Sequence, residues 1–248
     1  MSRPSDRRRR LVVPAAVALV AAIATAAAVL VPHTGDAPTG SGSGASSTAP
    51  SDAPSSNRGD DVTEALKQLA RRRDGDPTAL GKVDAPVVLI AYSEFQCPFC
   101  GKFARDTEPT LIKRFVDTGT LRIEWRDFPY LGPESTTAAL AARAAGAQGK
   151  FWQYHDALYA KQVNPNSGAL NEKHLVDVAR SIGLDVARFR TDLASKATSA
   201  AVQRDFDEGQ AIGVTGTPAF LVNGQPIIGA QPTETFVQAI QYAASAAQ

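Results

Sequence analysis

An α/β layer interrupted by a block of helices is the fold class this sequence predicts, and three observations carry it. A β-branched apolar run, a helical stretch and an alternating run follow one another between residues 86 and 129. A hairpin signal stands at 217–229. Helical periodicity fills the interval between them, from about 133 to 211. The order strand, helix, strand, helical block, hairpin, helix fits a layered α/β domain with a helical insertion.

Each element has its own signal. "VTEALKQLARRR" at 62–73 puts Val62, Leu66 and Leu69 on one stripe, which predicts a helix. "PVVLIAYSEF" at 86–95 is apolar on both faces and reads as a buried strand. Residues 98–119 read as a helix, with Pro98 in its first turn and Gly119 past its end. Pro109 should kink it, since proline lacks the N–H and crowds the preceding turn. "TLRIEWRDFP" at 120–129 alternates as the next strand. Gly and Asn/Pro breaks divide the helical block into pieces. Asn223-Gly224 sits between two short strand runs, a strong hairpin signal, and 231–247 closes the chain as a helix.

With 248 residues the chain can hold one sizeable domain, at 61–248, plus appendages. A net charge of +1 shows no basic excess for nucleic acid and no acidic excess for a charged polymer. Residues 1–10 are a basic segment ending in four arginines, expected on the cytoplasmic side. The uncharged run 11–31 is long enough to span a bilayer, and the next basic side chain with a fixed charge is Arg58. That asymmetry predicts an N-terminal membrane anchor with the folded part outside the cytosol. The alternative is a signal sequence cleaved near Ala26-Ala27-Ala28. Residues 32–60 are small and polar, a composition that favours a disordered tether.

The chain holds two cysteines, Cys97 and Cys100, in "EFQCPFCGKF". A structural zinc site needs four ligands, and His155 and His174 are too scattered to complete one. A structural disulfide would close a very short loop and stabilise little. Reversible redox chemistry remains, in which one thiol attacks and the second resolves the mixed disulfide. Cys97 falls where strand gives way to helix, and the free N–H groups of a helix start favour its thiolate. Cys100, one turn on, faces the same side and is expected to be the more buried.

"SEFQCPFCGKF" after an apolar strand, with "GVTGTPAFLVNG" far downstream, resembles the DsbA-like thioredoxin-fold oxidoreductases, in particular the anchored members of Gram-positive and actinobacterial cells. The resemblance covers roughly 74–245. It implies a thioredoxin fold whose helical insertion lies between the second strand and the cis-proline hairpin. It also implies that Cys97 is the surface nucleophile, Cys100 the resolving thiol and Pro218 the cis-proline. Thr217 would pair its backbone with an extended substrate. Relatives keep a buried acid at the position of Ala91; here Glu94 is the candidate for proton transfer, against a reading as a partly solvated strand-end carboxylate. Pro98 and Phe99 lie between the thiols, and Phe99 lacks the imidazole DsbA uses there, which argues against a very strongly oxidising potential.

The resemblance implies an extracytoplasmic monomer acting on reduced exported proteins, reoxidised by a membrane partner of the DsbB or vitamin K epoxide reductase-like kind. It implies no cofactor and no metal. Rival readings are an isomerase or reductase, and a non-catalytic chaperone. Of the remaining polar residues, His155 shares a helical stripe with Phe151, Tyr154 and Leu158 and reads as core. His174 reads as surface. Asp205, Asp207 and Glu208 read as a solvated face.

Overall fold

The seven residues Val87–Ser93 (β2) form the central strand of the domain in the computed structural model, which describes residues 56–247. Its β-branched and aromatic side chains are buried on both faces, as a strand covered on two sides requires. Leu121–Asp127 (β3) pairs with it in parallel, in register from Val87 with Leu121 to Ser93 with Asp127. On the other side Ala219–Val222 (β4) runs antiparallel, and Gln225–Ile228 (β5) follows it as the hairpin partner. Asn223 and Gly224 take positive φ, 44° and 86°, the backbone a tight two-residue hairpin turn demands. A two-residue strand, Ala79–Leu80 (β1), adds to the far side of β3 and gives the order β1-β3-β2-β4-β5. Two residues are too few for any periodicity, so β1 leaves no trace in the sequence.

Residues of β2 alternate between two cores. Val87, Leu89 and Ala91 pack with Phe103, Leu111, Phe220 and Phe236. These come from α2 (Pro98–Asp106), α3 (Glu108–Leu111), β4 and the closing helix α9 (Thr233–Ser245). Val88, Ile90 and Tyr92 face the opposite way, onto Phe128, Leu66 and Phe206. A third core belongs to the insertion: α4 (Pro133–Gly146), α5 (Phe151–Ala160), α6 (Glu172–Ser181), α7 (Val186–Leu193) and α8 (Lys196–Ala211). The insertion thus occupies the predicted interval. Alanines 138, 139, 141, 142, 144 and 145 of α4 are all buried there, and their small side chains let neighbouring helices approach closely. Phe151, Tyr154, His155 and Leu158 are buried as one stripe of α5, as expected.

Several expectations are corrected. The first helix, α1, spans Ser56–Lys67, so it begins inside the stretch read as a tether and stops short of 73. It stops because the backbone N–H groups of Arg71 and Arg72 go to the Glu124 carboxylate, at 2.9 and 2.8 Å, instead of continuing a helix. Val62 of the proposed stripe is exposed. The helix read over 98–119 is broken: α2 ends at Asp106, Pro109 sits in the first turn of α3, and a π-helical turn follows at Ile112–Val116. Asp205 and Glu208 are not a solvated face. Asp205 is buried and bonded to Arg71 and Arg143, and Glu208 is partly buried between Arg71 and Arg126; Asp207 alone of the three is exposed. His174 is half-buried. The basic segment, the apolar run 11–31 and positions 32–55 lie outside the described residues.

Candidate active site

The site forms where β2 ends. The chain leaves Ser93, turns through Glu94–Gln96 with the Cys97 N–H donating to the Glu94 carbonyl (3.4 Å), and enters α2. Cys97 is the N-cap of that helix, in extended conformation, with Pro98 directly after it. Proline suits the first helical position, where the lost N–H would have had no partner. Both cysteines are free thiols. Cys97 is 2% exposed and Cys100 1%, so the nucleophile candidate is covered and does not stand at the surface as the resemblance implied. What covers it is the loop before β4: Cys97 Sγ lies 3.2 Å from the Thr217 carbonyl, and the Thr217–Pro218 peptide bond is cis. Pro98 and Phe99 point outward, Phe99 62% exposed.

The two thiols are pushed in opposite directions. A hydrogen bond from Cys100 is the largest influence lowering Cys97, to about 6, against the cost of its burial; Thr217 and the backbone N–H groups of Cys100 and Phe99 add to it. Cys100 is raised well above the ordinary thiol range, first by burial and then by giving its hydrogen bond to Cys97. Because the two share that bond, they titrate as a pair. The helix N-terminus therefore contributes as expected through its N–H groups, but the resolving thiol contributes more.

Glu94 is buried, which removes its reading as a partly solvated carboxylate. Its Oε2 accepts from the Gln96 N–H (3.2 Å) and from the Ser135 hydroxyl, while Oε1 is buried without a partner. Burial is the main cause lifting its pKa to about 7, with the Cys97 charge adding to it. A buried carboxyl that can exchange a proton near neutrality stands one turn of chain from the thiols. Ala91, at the position of the family's usual acid, is buried among apolar side chains.

Sequence reasoning missed three contributors. Ser93 acts to lower the Cys100 thiol, against the larger effect of burial, and its hydroxyl meets that of Tyr159 at 3.2 Å. Tyr159 also donates to the Glu94 carbonyl, at 2.9 Å. Gln162, just past α5, donates to the Cys97 carbonyl at 2.6 Å. The last two come from the insertion, far along the chain, and no spacing rule links them to a Cys-x-x-Cys pair. Thr217 Oγ1 is buried without a hydrogen-bond partner in the loop that covers the thiols. The arrangement can hold one thiolate ready to attack while keeping its neighbour protonated.

Residues 73–242 match the family model of thioredoxin. A probable disulfide bond formation protein D of Bacillus anthracis is 31% identical over 150 residues, which cover 59% of this chain and 69% of that protein. The Na(+)/H(+) antiporter NhaA 1 of Salinispora arenicola is 36% identical over 162 residues, covering 64% of this chain and 24% of the antiporter. This chain thus spans about a quarter of the length of its antiporter relatives. The crystal structure of BdbD from Bacillus subtilis, in its oxidised form, superposes with a TM-score of 0.64 at 26% identity, covering 69% of this chain and 94% of the other. The sheet with its helical insertion is shared with this DsbA-type structure.

Proposed function

We propose, from the premise that the chain belongs to the thioredoxin family, that it is a thiol:disulfide oxidoreductase forming disulfides in exported proteins outside the cytosol. The observation that carries this reading is the pair of free thiols at the start of α2, Cys97 at the N-cap under the Thr217 carbonyl and Cys100 buried behind it; their environments push Cys97 down to about 6 and Cys100 up. A stabilised Cys97 thiolate favours the reduced enzyme, and a favoured reduced form makes the disulfide a better oxidant. The similarity to a disulfide bond formation protein supports the same direction.

In the proposed reaction a substrate thiolate attacks Cys97 Sγ in the Cys97–Cys100 disulfide. The S–S bond breaks, a substrate–Cys97 disulfide forms, and the electron pair leaves on Cys100. Burial raises the Cys100 pKa, so this sulfur takes up a proton at once. Ser93 at the sulfur and the Glu94 carboxyl, titrating near 7, serve that transfer. A second substrate thiolate then attacks the substrate sulfur and Cys97 leaves as the stabilised thiolate. Two electrons have passed to the enzyme, and the substrate carries the disulfide. Thr217, in the loop over Cys97, offers backbone to the extended substrate, and the exposed Phe99 offers apolar surface. The basic segment and apolar run at the N-terminus support an anchored protein with its catalytic domain outside. A membrane protein of the DsbB or vitamin K epoxide reductase-like kind would return the pair to its disulfide.

Redox titration of the protein against glutathione tests this. The expected potential lies between that of thioredoxin, about −270 mV, and that of DsbA, about −120 mV. A value at or below the thioredoxin figure would make the protein a reductase and overturn the proposal.

A further inference from the structure

A chain of hydrogen bonds runs from the insertion to the Glu94 carboxylate, and each link in it has a fixed direction. It starts in the loop after α5, at Asn166, which takes a positive φ of 51° that asparagine tolerates. The Asn166 side-chain N–H donates to the Leu131 carbonyl at 2.6 Å, which leaves Oδ1 as the acceptor of that amide. The Asn166 backbone N–H, which can only donate, reaches Gln96 Oε1 at 2.6 Å. That contact orients the Gln96 amide. Its Nε2 faces Ser135 Oγ at 2.8 Å, with Asn166 Oδ1 at 3.4 Å. Ser135 accepts from Gln96, so its one hydroxyl proton goes to Glu94 Oε2. Gln96 and Ser135 are fully buried, and bulk solvent does not compete for these bonds.

A carboxylate held this way has two unlike oxygens. Oε2 accepts from Ser135 and from the Gln96 backbone N–H, while Oε1 is buried with no partner among the described residues. A proton on Oε2 would oppose both donors, so the neutral acid carries its hydrogen on Oε1. Burial lifts this carboxyl to about 7, the Ser135 and Gln96 bonds hold it down, and the Cys97 charge raises it further. The other ionisable groups against this turn are Cys100 and Tyr159, both raised and both protonated near neutrality. On α4, Glu134 is engaged by the Gly168 and Leu170 N–H groups, at 2.7 and 2.9 Å.

We propose that Asn166, Gln96 and Ser135 are positioning residues for proton transfer at the thiols: they hold Glu94 Oε2 as a fixed acceptor and leave Oε1 as the oxygen that gives and takes the proton. The proposal rests on the redox reading above. When Cys100 leaves the disulfide with the electron pair of the S–S bond it gains one proton, and Glu94 Oε1 gives one up. The carboxylate then regains a proton from water. The insertion thereby sets proton affinity beside the thiols, and Gln162 of the same loop holds the Cys97 carbonyl at 2.6 Å.

The test uses the full chain with its glutamates labelled with carbon-13 at the carboxyl, in the disulfide form, so that no Cys97 charge contributes. The Glu94 signal is identified by its loss in Glu94→Gln. Ser135→Ala should raise the Glu94 midpoint by about one pH unit, the effect of losing one hydrogen bond to a charged group. Gln96→Met, which frees the Ser135 hydroxyl to turn, should raise it by less. Ser135→Thr keeps the hydroxyl and should keep the midpoint of the unaltered protein. In stopped-flow exchange with a reduced peptide, the pH profile of the rate should move with the midpoint. An unchanged midpoint in Ser135→Ala, or a profile that does not follow it, would overturn the proposal and leave the redox reading standing. An unaltered chain that oxidises no thiol would overturn both.

Discussion

Two buried polar regions of this domain are built on opposite terms. Beside α1 and under α8, Arg71, Arg122, Arg126 and Arg143 meet Glu124, Asp127, Asp205 and Glu208 in a continuous ion-pair network. Each of those carboxylates has two or more donors, Asp127 taking Arg143 and the Trp125 indole N–H. Glu124 receives Arg122, Arg126 and the N–H groups of Arg71 and Arg72, and despite its burial these hold it down to about 2. At the thiols the accounting is left incomplete. Glu94 Oε1 and Thr217 Oγ1 are buried with no partner, and one thiol is raised so that the other can be lowered. Full pairing holds Glu124 and Glu208 below the ordinary carboxylate range and gives rigidity; partial pairing leaves groups poised to exchange protons.

That contrast can be broken from either side. Asp205→Ala should have the largest effect on stability. It strands Arg71 and Arg143, and breaking a buried pair from one side costs about 4 kcal/mol. Urea denaturation should show the loss, while the Cys97 titration of the folded variant stays in place.

Glu94→Gln should act with the opposite sign. The folded carboxyl titrates near 7 and the unfolded one near 4.5, so its contribution to stability is full below pH 4.5 and lost as pH rises through 7. Replacing it removes that loss, and the variant should gain on the order of 3 kcal/mol at pH 8 while gaining little at pH 4. Its thiol exchange should be slower, seen in stopped-flow mixing with a reduced peptide.

Cys100→Ala removes the donor that most lowers Cys97. Thiolate absorbance should place Cys97 near pH 6 in the reduced protein and higher by on the order of one unit, about 1.4 kcal/mol, in the variant. No upward shift would mean that the helix N–H groups alone set the thiolate.

Phe99→His should have the smallest effect. A ring N–H beside the sulfurs would stabilise the thiolate further and raise the potential, making the protein more oxidising. One added hydrogen bond of about 1 kcal/mol corresponds to roughly 20 mV for a two-electron couple. Phe99 is largely exposed, so water weakens any such bond. An unchanged or lower potential would move control of the redox poise to Glu94 and Thr217.

The sequence made some of this legible and hid the rest for definable reasons. β2, β3 and the hairpin are visible because burial on two faces writes apolar runs, and Asn223-Gly224 writes its own turn. Cys97 and Cys100 are visible because their spacing is local. The ion-pair network is hidden at Asp205 and Glu208 because charged residues on a helix resemble a wet face until their partners are known. Those partners, Arg71, Arg126 and Arg143, lie far along the chain in three different segments. Glu94 stands between two readings in the sequence for the same reason: Ser135, which bonds its carboxylate, belongs to the insertion. Cys97 was expected at the surface, and only the folded chain shows the Thr217 loop lying over it.

The hairpin turn has a mechanical consequence. Gly224 is pressed so closely against the Thr63 carbonyl of α1 that a methyl group could not fit, and Gln225 reaches the Thr63 hydroxyl at 3.2 Å. Asn223 ties the same turn to the start of β2 through the Val88 N–H, at 2.8 Å. The thiols lie past the other end of β2, about 20 Å away along a strand of this length. A pull arriving through the N-terminal side of the chain is therefore delivered to the turn end of the sheet.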